Sequence, residues 1–219
     1  MLFVQHPVTG APVAETFEYG SRHWREYRRI FCSFAAKRVQ DRYVHTFEPL
    51  SRLARVARSN FHENVFVNAQ VHEVGLSDRS AEVPWCAFLM AGSDGGFNNG
   101  MSSFFGGAGC ELVDSISLDT MDYWCLSRRI QRLDFLKIDV EGAELSVLKG
   151  GEDTIRRFKP SMAIEVNPVT CERAGYSIED LLAQVGSLGY GIFNIGRDEQ
   201  TMPLGATQSA SRDVLCVWN

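Results

Sequence analysis

Asp139 and Glu141 stand two residues apart, directly after the apolar run Leu133 to Ile138. Carboxylates placed this way could orient a positive group or take the proton of a hydroxyl. Gly142 follows and lets a neighbouring backbone come close. A third acid, Glu48, closes another apolar run, Arg42 to Phe47. A carboxylate at the end of such a strand can accept hydrogen bonds from both hydroxyls of a ribose. Asp78 ends a further short turn, Val74 to Arg79. Each acid also has a plainer reading: acids favour the first turn of a following helix, and Pro49 suits a helix start. Lys137 alternates with Asp139, either pairing with an acid or sitting charge-balanced at the sheet edge. His72 and Glu73 are set aside, because a lone histidine beside a strand is usually structural.

The elements that must carry these residues follow from periodicity. Leu133 to Ile138 reads as a strand covered on both faces, with one embedded lysine. Ala143 to Phe158 has helical spacing, Pro160 forbids continuation, and Met162 to Val166 is the next buried strand. Upstream, Phe31 to Gln40 ends a helix and Arg42 to Phe47 is a strand. Pro49 to Asn60 is a helix with Leu50, Leu53, Val56 and Ala57 on its apolar face, and Val65 to Asn68 a third strand. Glu82 to Phe88 is one arm of an antiparallel excursion. The glycine-rich stretch Ala91 to Gly109 is either a lid over the ligand edge or an exposed loop without consequence. Ser177 to Leu188 is a helix capped by Ser177, and Gly191 to Ile195 with Asp213 to Trp218 forms a closing hairpin. Alternation of this kind means a doubly wound α/β sheet. Ligands of such sheets lie outside the strands' carboxyl ends, which puts Glu48 and Asp139 on one edge.

Composition narrows the functional classes. With 219 residues, 45% hydrophobic and 22% charged, the chain is ordinary globular material for one domain. A net charge of −5 argues against a nucleic-acid surface. No apolar run approaches a membrane span, and the first residues lack a secretion signal. The six cysteines lack Cys-x-x-Cys spacing and read as free thiols in a reducing cytoplasm, not as a metal site. A cytoplasmic protein without a metal is the expectation.

The segment Lys137 to Glu144, KIDVEGAE, resembles the most recognisable motif of the FkbM-like family of S-adenosylmethionine-dependent methyltransferases. Val44 to Pro49 (VHTFEP) looks like that family's second strand, and Val74 to Arg79 like the acidic turn after its third. Ser102-Ser103 matches a frequent serine pair, and Val113 to Asp119 a strand leading into a short helix. The likeness covers Phe31 to Asn219 in order. It implies a Rossmann-like class I methyltransferase sheet, mostly parallel with an antiparallel C-terminal strand. It implies S-adenosylmethionine as cofactor, with Glu48 holding the ribose, Asp78 beside the adenine and Asp139 near the donated methyl. Asp139 and Glu141 become the catalytic candidates. The acceptor would be a hydroxyl on a small molecule or a sugar-containing product. The alternative is an inactive binding protein built on the same sheet.

One part of the pattern is missing. The resemblance implies a central first strand ending in an Asp-x-Gly-Ala-Asn-x-Gly turn, about two dozen residues before Phe47. Tyr19 to Ile30 is instead crowded with arginine and aromatic residues and has one glycine, Gly20. Residues 1–30 are therefore a divergent segment, and 31–219 the methyltransferase-like domain. The central strand is missing or replaced, and Met1 to Gln5 offers an apolar substitute. The genetic code supplies one explanation. Read one base later, the codons of Arg22 to Arg28 permit Asp-Ile-Gly-Ala-Asn-Ile-Gly, the glycine at Trp24 being set by TGG followed by a CGN arginine codon. The rival is a genuine helix over Ser21 to Arg38 in a relative that no longer binds the cofactor in the usual way.

Overall fold

The computed structural model describes residues 2–5, 43–89, 97–103, 110–195, 201–203 and 212–219. In chain order these form β1 (Leu2–Gln5), β2 (Tyr43–Phe47), α1 (Ser51–Glu63), β3 (Ala69–His72), β4 (Gly75–Ser77), β5 (Ala81–Leu89), β6 (Phe97–Ser103) and β7 (Cys110–Thr120). Then come α2 (Met121–Ser127), β8 (Phe135–Ile138), α3 (Glu144–Lys149), α4 (Glu152–Phe158), β9 (Ser161–Val166), α5 (Pro168–Arg173), α6 (Ile178–Ser187), β10 (Tyr190–Ile195), β11 (Thr201–Pro203) and β12 (Arg212–Trp218). The stretch Tyr19 to Ile30, the expected helix ending at Gln40 and most of the glycine-rich stretch Ala91 to Gly109 lie outside the described residues. Ser102 and Ser103 fall in β6.

Eight strands make the main sheet in the order β11-β10-β12-β9-β8-β1-β2-β3, and β4-β7-β5-β6 make a second. β8 and β9 pair in parallel, as do β2 and β3. Leu136, Ile138, Met162 and Ile164 are fully buried, as expected of strands covered on both faces. The expected parallel group is therefore present, with β8 inside the sheet. β12 runs antiparallel between β9 and β10, which gives the closing hairpin its antiparallel arm.

The central position is filled by β1, which runs antiparallel to both β2 and β8. Its polarity has a direct consequence. A strand's carboxyl end lies opposite to that of its antiparallel neighbours, so the chain leaving β1 departs from the edge away from Glu48 and Asp139.

Two expected elements are corrected. The third strand is Ala69–His72, not Val65 to Asn68. Residues 64–66 instead close α1: the amides of Val65 and Phe66 donate to the carbonyls of His62 and Phe61, and Val65 takes the left-handed backbone conformation. The long helix from Ala143 to Phe158 is two helices, broken at Gly150 and Gly151. α4 starts there with a cap from outside, because the Asp122 carboxylate accepts from the amides of Asp153 and Thr154. The Ser177 cap is present as a full capping box with Asp180.

β2 and β3 also carry a histidine pair under Trp124. His45 Nδ1 lies 3.1 Å from His72 Nε2, and both rings meet the indole edge-on. Burial, helped by the Arg128 charge, holds both imidazoles down to about 4. Each is neutral at pH 7 and protonates more readily in the unfolded chain, near 6.5. Stability should therefore be complete above pH 6.5 and decline as pH falls toward 4. Replacing both histidines with glutamine should flatten the fall in melting temperature between those two values, measured against the unmodified chain.

Candidate active site

The acidic edge is built by β8 and β9. Asp139 follows the last residue of β8, and Glu165 is the fifth residue of β9. Carboxylate oxygens of Asp139, Glu141 and Glu165 lie within 4.8 Å of one another. Three carboxylate oxygens at that separation are donors of the type a hard divalent cation takes. The chain also supplies a positive charge there. Lys137, 8% exposed, sends its ammonium across β9 to bond Asp213 on β12, and it stands 3.8 Å from Asp139. The pairing reading of Lys137 is the one the structure supports. An ammonium so deeply buried needs such partners, and the pair also fixes one rotamer of each side chain.

Glu48 sits at the end of β2, at the same edge of the sheet, with β1 between it and β8. Its Oε1 accepts from the Leu50 amide at 3.0 Å, so it also serves the start of α1. Burial raises its carboxyl above the usual range, with the Leu50 amide opposing. Asp78 is placed differently. It follows β4 in the second sheet, its carboxylate pairs with Arg79 at 3.4 Å, and its backbone packs beside Gly150 at the far end of α3. The described geometry thus gathers Asp139 and Glu141 with Glu165, sets Glu48 along the same edge, and holds Asp78 on the neighbouring sheet.

Sequence reasoning passed over Glu165, Glu144 and Asp213. Glu165 was detectable in principle, as a lone acid inside the apolar run Met162 to Val166. Glu144 lies in the first turn of α3, where an acid looks like an ordinary dipole partner, yet it is 1% exposed. Asp213 could be recognised only once β12 was known to lie beside β9. Cys125, Cys171 and Cys216 are free and buried. Burial raises all three thiols, Cys125 and Cys216 to about 12, so none is a ready nucleophile.

S-Adenosylmethionine fits this edge only in part. Glu48 stands at the carboxyl end of β2, while β1, beside it, runs the other way, so among the described residues no strand's carboxyl end lies between Glu48 and Asp139 at that edge. No described helix is long and apolar enough to cross a membrane.

No curated protein matches the chain. Among solved structures, the crystal structure of methyltransferase FkbM from Methylobacillus flagellatus KT is similar, at 18% identity and a TM-score of 0.47. The match covers 80% of this chain but 36% of that one, so this chain spans about a third of that protein's length. The model of the methyltransferase FkbM domain matches residues 13–192, and with most of its length inside that match the chain belongs to the FkbM methyltransferase family.

Proposed function

We propose that the chain carries the frame of an S-adenosylmethionine-dependent O-methyltransferase, acting on a hydroxyl of a small molecule or glycan, with its donor affinity impaired. The observation that carries this reading is the common edge of Glu48 and Asp139, at the carboxyl ends of strands that run the same way. In this reading Glu48 holds the ribose, Asp78 lines the adenine side from the second sheet, and Asp139 with Glu141 receives the acceptor's proton. A cytoplasmic location agrees with the free thiols. The polarity of β1 supports the impairment and also favours a second reading, an inactive binding protein on the same sheet.

Calorimetric titration with S-adenosylmethionine separates them. The expected result is binding weaker than about 100 μM, a free energy less favourable than about −5.5 kcal/mol. Micromolar affinity would overturn the impairment and leave the enzyme reading intact. Transfer of labelled methyl to hydroxyl acceptors, abolished by Asp139→Asn, would then assign the catalytic base. An affinity beyond detection, even with a glycine turn restored, would favour the binding protein.

A further inference from the structure

We propose that Glu144 is a positioning residue, holding the acidic turn of residues 139–142 in the shape that aims Asp139 and Glu141. The inference deepens the enzyme reading above and rests on it for the purpose of the turn, but its geometry stands apart from any cofactor.

Glu144 is 1% exposed, and a carboxylate so deeply buried is costly unless its lone pairs are filled. They are filled largely by the turn itself. Oε1 accepts from the Val140 amide at 3.0 Å, and the Gly142 amide lies 3.0 Å from Oε2 and 3.3 Å from Oε1. The Tyr176 hydroxyl donates to Oε2 at 2.9 Å from beyond α5. One side chain in the first turn of α3 therefore grips the backbone on both sides of Glu141.

That grip has something to oppose. Glu141 has φ 54° and Gly142 φ 105°, the first uncommon for a side-chain-bearing residue and the second nearly confined to glycine. Backbone of this kind persists only where the surroundings over-determine it. Three surroundings do so here. Glu144 holds the amides, Tyr176 holds Glu144, and a Cβ on Gly142 would stand 2.8 Å from the Thr170 carbonyl of α5. Because Asp139 enters the turn and Glu141 is its left-handed residue, the directions of both acids follow from it. Charge-assisted bonds to backbone amides are stronger than neutral ones, which suits a carboxylate and not an amide to this task.

Amide-resolved hydrogen exchange by NMR on the full chain tests this, without cofactor. Glu144→Gln keeps the size but turns one acceptor oxygen into a donor. Exchange at Val140 and Gly142 should rise about tenfold, while Leu136 in β8 and Ile164 in β9 keep their rates, since local opening is independent of the global one. The Val140 and Gly142 amide protons should also move upfield as the carboxylate bond is lost. A merely structural acid would instead raise exchange across β8, β9 and α3 together. That uniform rise, or unchanged rates at 140 and 142, would overturn the proposal. If Glu144→Gln does not fold, Tyr176→Phe decides. Loss of its hydroxyl should speed exchange at Gly142 by about threefold and leave β8 and β9 unaltered, and no change at Gly142 would sink the idea. Failure of S-adenosylmethionine binding leaves these readouts untouched, so the two proposals fail separately.

Discussion

Gly150→Ala should destabilise the protein by about 3 kcal/mol or more, a fall in melting temperature on the order of 10 °C for a chain of this size. A Cβ built on Gly150 would lie 1.9 Å from the Ser77 carbonyl oxygen, 2.8 Å from its carbon and 3.1 Å from Asp78 Cα. All three are backbone atoms, so no side-chain rotation relieves the overlap. Either β4 withdraws from α3 or the join between α3 and α4 deforms. The backbone of Gly150 is ordinary right-handed helix, with φ −75°, so the effect is steric and not conformational. Gly186 in α6 provides the opposite sign. Nothing lies within 4 Å of its Cβ position, and alanine there should stabilise by about 0.5–1 kcal/mol. Thermal unfolding of the two variants side by side checks both signs. Equal effects would show that the contact between β4 and α3 does not constrain the fold.

The same glycine shows where the sequence stops being legible. Spacing from Ala143 to Phe158 is helical throughout, and periodicity alone does not reveal that Gly150 and Gly151 interrupt it to admit a strand from the second sheet. Val65 to Asn68 has strand composition, but Val65 and Phe66 are spent closing α1, and Val67 is 91% exposed. Local chemistry won over propensity there. The buried strands β8 and β9, the Ser177 cap and the shared edge of Glu48 and Asp139 were legible because apolar runs, caps and strand polarity in a doubly wound sheet are local or nearly so. Asp213 was not, since its bond to Lys137 crosses β9 and exists only after the strands are ordered, and Glu165, visible as a lone acid in an apolar run, could not be placed beside Asp139 until β9 was known to adjoin β8. Glu144 was hidden differently: an acid opening a helix has an ordinary explanation, and only its burial shows a second task. The polarity of β1, which has no helix to return it to the sheet in parallel, was not legible. Met1 to Gln5 could be seen as a substitute for the central strand, but four apolar residues pair equally well in either direction until a neighbour decides.

Placing Asp-Ile-Gly-Ala-Asn-Ile-Gly at positions 22–28, with an apolar strand before it, should bring S-adenosylmethionine binding into the micromolar range, at least about a hundredfold above the unmodified chain. A strand inserted parallel to β2 and β8 delivers its carboxyl end to the edge where Glu48 and Asp139 stand, and its glycines then let backbone amides approach the ligand. It must also displace β1, whose four residues occupy the slot in the reverse sense. The displacement is measurable without cofactor. In the unmodified chain, deleting residues 1–5 strips backbone partners from both β2 and β8 and should abolish cooperative unfolding, because unpaired buried amides and carbonyls are not tolerated. In the restored chain the same deletion should be nearly silent. Glu48→Gln in the restored chain should then weaken binding about tenfold, as loss of a charged acceptor for ribose hydroxyls requires. The nucleotide sequence adds an independent check. A shifted frame around Trp24 that fails to spell glycine, alanine and asparagine removes the frame change as the cause, and a restored chain that still needs residues 1–5 removes the strand replacement itself. Binding that recovers while β1 keeps its place would mean that the polarity of the central strand never governed the site.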